Sequence, residues 1–331
     1  KGCKSECPSN VDVGKLKAEF LQQYYQDNGV PFRTRMIANF TALNSLAATV
    51  PSLYNLTFKN PITAGIAKSL MGFAPKRSVP LLHKTTLKKW YKKHKARQNG
   101  EMQARPKVYF FADEFTDYND TPIGIKAIEL LEALGYEVII PRHIESGRTH
   151  LSKGLVKNAK EIAVTNIDLL KGLVSKETPL IGTEPSAILT FRDEYPDLAM
   201  PYQQEAVQKL ADNALMIDEF LAQELDAGKL ASGQFTPEKR LIKLHGHCHQ
   251  KALASMVPTK KLLSLPENYE VHMIPSGCCG MAGSFGYEAE HYDVSMQTGE
   301  LVLFPTVREQ PEEVIIAAPG TSCRHQIKDG T

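Results

Sequence analysis

The chain has 331 residues, of which 42% are hydrophobic and 23% are charged, and its formal net charge is +2 at pH 7. This length allows more than one domain, the near-neutral charge argues against a nucleic-acid partner, and no apolar run reaches the length of a membrane span. No signal peptide is recognisable, so we expect a cytoplasmic protein. Six cysteines are too few for a disulfide scaffold, and clustered cysteines without an export signal are typical of metal or redox sites.

The first two cysteines lie at the start of the chain. Cys3 and Cys7 precede Pro8 in a C-x3-C-P pattern, which is the end of the C-x2-C-x2-C-x3-C-P run that binds clusters in bacterial ferredoxins. Two cysteines are too few for a four-iron cluster, and the sequence begins at Lys1 inside the motif. We therefore expect an excised fragment that does not assemble this centre. The alternative is a pair of unrelated thiols in a frayed terminus.

Residues 10–100 are expected to be helical, with a basic stretch at their end. Apolar residues recur at helical spacing from Val13 to Tyr24, and Pro51 and Pro61 should interrupt later helices. The apolar residues of 32–75 belong either to the core or to a surface for another domain. Residues 76–97 are rich in lysine and arginine, which predicts either a basic surface for an acidic partner or anionic lipid, or a solvated linker; we favour the linker.

From residue 107 onward, short apolar strands alternate with helices. Strands are expected at residues 108–111, 136–140, 179–182, 240–244 and from 269, and helices at 123–134, 153–173 and 202–225. Such alternation predicts parallel sheets covered by helices. The expected fold class is α/β, with two pseudo-repeated βαβ halves preceded by an all-α region.

The second half repeats the pattern of the first. When Tyr136-Glu137-Val138 is aligned with Tyr269-Glu270-Val271, the segment Glu145-Ser146-Gly147 falls on Cys278-Cys279-Gly280, and Phe115 falls on Cys248. With a small slip, Ala187 falls near Cys323. An internal duplication in which only the second copy kept its thiols is therefore expected.

Four of the six cysteines follow strands of the second half: Cys248, the adjacent pair Cys278 and Cys279, and Cys323. Open α/β sheets place their sites beyond the carboxyl ends of parallel strands, so we expect these thiols to converge. Soft thiolate ligands select zinc or an iron–sulfur cluster. Adjacent cysteines are unusual in a zinc finger and leave open a strained vicinal disulfide.

Three histidines, His245, His247 and His249, flank Cys248. They are candidates for a ligand, a proton relay or bonds around the ligands, and at most one is expected to touch the metal. Glycines around the adjacent cysteines permit tight turns that bring backbone amides close to sulfur.

These motifs resemble a known family. The segments GHCHQK (residues 246–251), CCGMAGSFGYE (278–288) and GTSCR (320–324) are similar to the cysteine-rich "CCG" domain of heterodisulfide reductase, glycolate oxidase iron–sulfur subunits and succinate dehydrogenase subunits. The chain most resembles the C-terminal half of FAD-linked oxidases of the D-lactate and D-2-hydroxyglutarate dehydrogenase type. The resemblance extends from Cys3 to Thr331.

The resemblance implies an organisation and a ligand set. Residues 1–100 would be a truncated ferredoxin-like cluster domain and basic linker, 101–235 a first repeat without metal, and 236–331 a metal-binding second repeat. Cys248, Cys278, Cys279 and Cys323 would bind a 4Fe-4S cluster or zinc, with His247 and His249 around them. Cys3 and Cys7 would belong to a 4Fe-4S site of the full-length protein.

The resemblance also implies a function. The chain would relay electrons from FAD, bound on an absent N-terminal domain in cis, to an acceptor such as quinone, with possible peripheral contact at the inner face of the membrane. The full-length protein would be a 2-hydroxyacid oxidoreductase, whereas the fragment alone would not oxidise the hydroxy acid. Two alternatives are a structural zinc-binding or docking module and a thiol–disulfide site at Cys278-Cys279.

The sequence departs from the family pattern at two places. The first repeat has Glu145-Ser146 and Ala187 where cysteines can stand, so it should bind no metal. Gln326 stands where a repeat can end in a further cysteine. A fifth cysteine ligand is therefore absent, which disfavours a noncubane cluster and favours an ordinary four-iron cluster or zinc.

Overall fold

The computed structural model describes residue 2, residue 4, residues 7–97 and residues 105–331; Cys3 lies outside the described residues. Contacts divide the chain into two compact units, one formed by residues 1–14, 66–78 and 217–331 and the other by residues 15–65 and 79–216. The domain boundaries expected from the sequence stay a prediction. Among the described residues, no helix is both long and apolar enough to cross a membrane.

Six helices lie between residues 13 and 97 of the described chain. They are α1 (Val13–Asn28), α2 (Phe32–Ala38), α3 (Phe40–Ala47), α4 (Pro51–Lys59), α5 (Pro61–Leu70) and α6 (Leu87–Arg97). The expected interruptions at Pro51 and Pro61 are confirmed: each proline begins a helix, where its missing N–H costs no hydrogen bond.

Several apolar side chains of these helices lie at the surface of the described structure. Phe20 of α1 is 67% exposed, Leu46 of α3 is 72% exposed and Leu56 of α4 is 66% exposed. Of the two expectations for the apolar residues of 32–75, the core is therefore wrong for Leu46 and Leu56, because their side chains face outward.

The basic segment continues into a packed helix. In α6, Leu87 is fully buried, Tyr91 Oη donates to Val138 O at 2.9 Å, and the ring of His94 contacts Glu132 at 2.6 Å. The linker expected here is thus wrong for residues 87–97.

The first parallel sheet belongs to the unit of residues 15–65 and 79–216. Its strands are β1 (Lys107–Phe110), β2 (Glu137–Ile139), β3 (Leu180–Gly182) and β4 (Ala214–Met216), in the order β2-β1-β3-β4, and all neighbours are parallel. Its helices are α7 (Glu114–Tyr118), α8 (Thr121–Ala133), α9 (Arg148–Ser152), α10 (Val156–Leu170), α11 (Pro185–Ile188), α12 (Thr190–Asp193), α13 (Tyr195–Leu198) and α14 (Gln204–Asp212).

The single long helix expected over residues 202–225 is wrong. Residues 214–216 instead pair with β3, and α15 (Ile217–Asp226) begins directly after them. Pairing with an open sheet edge outweighs helical propensity because Ala214 and Met216 bury their side chains there.

The second parallel sheet belongs to the other unit. Its strands are β5 (Arg240–Leu244), β6 (Tyr269–Met273) and β7 (Ile315–Ala317), in the order β6-β5-β7. Its helices are α16 (Cys248–Leu253), α17 (Val257–Leu263), α18 (Tyr292–Glu300), α19 (Leu303–Arg308) and α20 (Thr321–Gly330). The expected α/β class with parallel sheets is confirmed.

The two sheets share strand order and register. Lys107 pairs with Glu137 in the first sheet, as Leu241 pairs with Glu270 in the second. Phe110 pairs with Ile181, as Leu244 pairs with Ala317. These pairs supply residue-by-residue equivalences between the repeats.

Candidate metal centre

The four cysteines of the second repeat meet at one edge of its sheet. Cys248 begins α16 just after β5, Cys278 and Cys279 follow β6, and Cys323 lies in the first turn of α20, just after β7. All three strands are parallel, so their carboxyl ends share an edge.

The sulfurs contact one another in sequence order. Hydrogen-bonding contacts join Cys248 to Cys278, Cys278 to Cys279, and Cys279 to Cys323. Cys279 and Cys323 are buried beside Met281 and Phe304, whereas Cys278 is exposed. All five described cysteines are free thiols.

The thiols do not ionise alike. Hydrogen bonds from Cys248 and Cys279 lower the pKa of Cys278, and a hydrogen bond from Cys279 lowers the pKa of Cys323. Donation to these neighbours, together with burial, raises the pKa of Cys248 and of Cys279. Thiols bind metal as thiolates, so metal binding at this group would release protons.

His245 adds a nitrogen to the sulfur group. Its side chain is fully buried, and its ligand atom lies within 4.8 Å of the sulfurs of Cys279 and Cys323, which also lie within that distance of each other. Nδ1 is 2.7 Å from the Ser276 hydroxyl, and Nε2 is buried without a nitrogen or oxygen partner. A buried polar atom left in this way fits a bound metal. Beside the hydrogen bond from Cys279, a hydrogen bond from His245 contributes to the lowered pKa of Cys323.

The other two histidines occupy different positions. His247 is the N-cap of α16, and its Nδ1 accepts from the His249 backbone N–H at 3.2 Å. A Cβ on Gly320 would lie 2.3 Å from the His247 ring, so the missing side chain gives this ring its space. The ring of His249 lies 6.0 Å from that of His247.

Backbone and side-chain hydrogen bonds hold the loop that carries the exposed Cys278. Gly280 has φ +96°, a conformation that favours glycine, and its N–H donates to Cys278 Sγ at 3.3 Å. Lys251 of α16 donates from Nζ to the carbonyls of Ser276 and Gly277, both at 2.8 Å. The lysine therefore ties the helix that carries Cys248 to the loop that carries Cys278.

Further polar contacts fix the elements that carry the cysteines. Gln250 of α16 donates to Asp218 at 2.9 Å and to Thr259 at 2.7 Å, all buried. Burial raises the pKa of Asp218. Gln326 donates to the Ser295 carbonyl at 2.9 Å, so its amide serves the packing of α20 against α18.

The first repeat has no cysteine at the equivalent positions. Strand register and the N-cap residues of the following helices pair Glu114 with Cys248 and Ala187 with Cys323. The expected pairing of Phe115 with Cys248 is wrong by one residue, because Asp113 and His247 are the equivalent N-caps.

Glu145 and Ser146 take the places of the adjacent cysteines. Ser146 donates to Glu114 twice, from Oγ at 2.6 Å and from its backbone N–H at 3.0 Å. Burial raises the pKa of Glu114. Burial also raises the pKa of Glu145 to about 7, against a hydrogen bond from Thr41.

Sequence reasoning gave His245 no special role among the three histidines, and it did not single out Ser276 or Lys251. One signal for His245 was available: it is the first residue after β5, the place where each cysteine-bearing segment also begins. Cys7 lies in the described N-terminal segment, and the cluster role predicted for Cys3 and Cys7 stays a prediction.

Curated relatives match the chain over most of its length. It is 26% identical over 338 residues to D-2-hydroxyglutarate dehydrogenase of Escherichia coli (strain K12), an alignment that covers 99% of this chain and 32% of that protein. It is 26% identical over 328 residues to a subunit of the anaerobic glycerol-3-phosphate dehydrogenase of the same strain, covering 98% of this chain and 79% of that subunit.

A third relative is lactate utilization protein A of Macrococcus caseolyticus, 29% identical over 205 residues, covering 59% of this chain and 77% of that protein. The chain thus spans 32% of the length of the dehydrogenase of the first comparison. No family model matches it, and no solved structure matches it.

Proposed function

We propose that this chain is the electron-transfer part of an FAD-linked 2-hydroxyacid oxidoreductase, with an iron–sulfur cluster held by Cys248, Cys278, Cys279 and Cys323. The proposal is supported above all by the meeting of four sulfurs and a buried imidazole nitrogen at one sheet edge. Similarity to proteins named dehydrogenases, over 98–99% of the chain, supports the oxidoreductase class.

The adjacent pair Cys278 and Cys279 favours a cluster over a zinc-finger site, because zinc fingers space their paired ligands by two to four residues.

The protein residues have separate tasks around such a centre. An iron–sulfur cluster supplies a one-electron carrier when bound, and its potential depends on hydrogen bonds to sulfur and on exposure. Cys279, Cys323 and their apolar neighbours exclude water from one side, while the Gly280 N–H donates to Cys278 Sγ. The exposed Cys278 marks the side from which an acceptor such as quinone would approach.

The remaining roles are proposals about the full-length protein. FAD would be bound by a further domain in cis, and a second 4Fe-4S centre would include Cys3 and Cys7. We retain the predictions of a cytoplasmic location and of peripheral membrane contact as parts of the same proposal.

A structural zinc module is the second candidate, because His245, Cys279 and Cys323 place their ligand atoms within 4.8 Å of one another. Such a centre would be redox-silent and would stabilise the fold.

Anaerobic reconstitution with ferrous iron and sulfide tests the proposal. We expect iron and acid-labile sulfide in similar amounts, a visible absorption band that bleaches on reduction, and loss of both in Cys279→Ser. The control Cys7→Ser, which changes a described cysteine outside the group, should keep the band.

Circular dichroism would establish that both variants are folded. One redox-silent zinc per wild-type chain would favour the structural module, and a folded wild-type chain without any metal would contradict both candidates.

A further inference from the structure

The strongest unassigned feature of the second repeat is His245, which has the surroundings of a ligand rather than of a packed core residue. The side chain is fully buried. Its backbone N–H donates to Ala317 O at 2.8 Å, so the sheet itself fixes where the ring starts. Both the backbone and the burial leave the imidazole little freedom to turn away from the sulfurs.

The two ring nitrogens of His245 differ in what they meet. Nδ1 lies 2.7 Å from the hydroxyl of Ser276, which is itself buried. Nε2 has no nitrogen or oxygen partner, although it too is buried, and the sulfurs of Cys279 and Cys323 lie near the ring. Sulfur is a weak hydrogen-bonding partner for a buried imidazole nitrogen, and a metal ion would be a stronger one. A ligating histidine usually gives its other ring N–H to an oxygen, as Nδ1 can to Ser276.

The first repeat supplies a comparison at the same position. Phe111 follows β1 as His245 follows β5, and its backbone N–H donates to Ile181 O at 2.8 Å, the equivalent of the bond from His245 to Ala317. Phe111 is also fully buried. The position is therefore an apolar ring, Phe111, in the first repeat, where Ser146 donates hydrogen bonds to Glu114. It is an imidazole, His245, in the second repeat, where the cysteine sulfurs lie.

We infer that His245 binds the metal centre directly through Nε2, as a nitrogen ligand beside Cys279 and Cys323. The inference rests on the proposed metal centre and adds a donor that is not a cysteine. With the four cysteines, His245 would make five donors. Gln326, which stands where a fifth cysteine could be, donates its amide N–H to the Ser295 carbonyl instead. Ser276 acts as a positioning residue that holds the ring and its Nδ1 proton.

Cobalt provides a test that does not depend on activity. The 331-residue chain, prepared metal-free and anaerobically, would be titrated with Co²⁺ and observed by proton NMR. A coordinated imidazole gives a strongly shifted, exchangeable ring N–H signal, which 15N-labelling of histidine would assign. We expect this signal in the wild type, its loss in His245→Gln, and a fall of at least about tenfold in Co²⁺ affinity.

Two further variants distinguish loss of a ligand from a general effect of substitution. His245→Cys should restore Co²⁺ affinity and strengthen the sulfur-to-cobalt absorption without restoring the N–H signal. The control His272→Gln, on the exposed face of β6, should match the wild type in both readouts.

The outcomes separate this inference from the proposed function. Bound Co²⁺ with thiolate absorption but no shifted N–H, or a His245→Gln spectrum identical to the wild type, would overturn the histidine ligand alone. A folded wild-type chain that binds no Co²⁺ would overturn this inference, whereas the proposed cluster is overturned only if reconstitution with iron and sulfide also leaves the chain without metal.

Discussion

The two repeats present the same three-strand order, β2-β1-β3 and β6-β5-β7, with different chemistry at the carboxyl edge. In the first repeat, Glu114 receives both an O–H and an N–H from Ser146. In the second, the equivalent Cys248 and Cys279 have sulfur neighbours, and sulfur is a weak hydrogen-bonding group. The oxygen set is satisfied within the protein, while the sulfur set is suited to a metal.

The helix that follows the first strand of each repeat shows a second contrast. Lys251 and Asp117 occupy the same position, because Cys248 and Glu114 are the first residues of their helices. Lys251 holds the loop before Cys278 through two carbonyls, whereas Asp117 accepts from the backbone N–H of Lys88 at 2.9 Å. The same strand order therefore carries an oxygen-rich edge beside Asp117 and a sulfur-rich edge beside Lys251.

The largest expected effect concerns Glu145 and pH. Because burial raises its pKa in the fold to about 7, the folded chain keeps a proton between pH 4.5 and 7 that the unfolded chain has released. The free energy of unfolding should therefore fall as pH rises through this window, by up to about 3 kcal/mol before solvent screening is considered, and level off above it.

Denaturant titrations at a series of pH values would measure this effect. Glu145→Gln should make the slope shallower, because an amide does not titrate, and Gln can still accept the hydrogen bond from Thr41. The control Glu129→Gln, on an exposed part of α8, should keep the slope of the parent chain. An unchanged slope in Glu145→Gln would contradict the raised pKa of Glu145 as the source of the pH dependence.

A smaller effect is expected at Ser146, the counterpart of Cys279. Ser146→Ala removes the 2.6 Å hydrogen bond to the buried Glu114 and should lower the free energy of unfolding by about 2 kcal/mol. Metal content should stay that of the wild type, in contrast to Cys279→Ser. Loss of metal in Ser146→Ala would mean that the oxygen edge also contributes to the centre.

The smallest effect is expected at Lys251. Lys251→Met keeps most of the side-chain stem but loses both bonds to the loop before Cys278. Metal affinity, measured by competition with a chelator, should fall about tenfold, which is about 1.4 kcal/mol. Lys260→Met on the neighbouring exposed helix surface serves as the control. Equal affinity in the two variants would show that the loop holds its shape without the lysine.

The fold class and the location of the thiols were predictable from the order of the amino acids. Alternating apolar strands and helices predicted parallel sheets, and each of the four cysteines follows a strand, so their convergence at one edge was expected from topology. The repeat was also visible in the sequence, although one residue of slip put Phe115 in place of Glu114. The register of each strand depends on backbone pairing, and the match of two three-residue segments does not determine the register of the other strands.

The surroundings of the sulfurs depend on contacts between distant parts of the chain. The edge strand β4 formed where helical spacing predicted a continuous helix, because the neighbouring strand offered unpaired backbone groups and a place to bury Ala214 and Met216. His245 stood among three histidines that sequence alone ranked together. Only the folded chain leaves its Nε2 buried and without a nitrogen or oxygen partner, because burial and hydrogen bonding are set by neighbours that are remote in sequence.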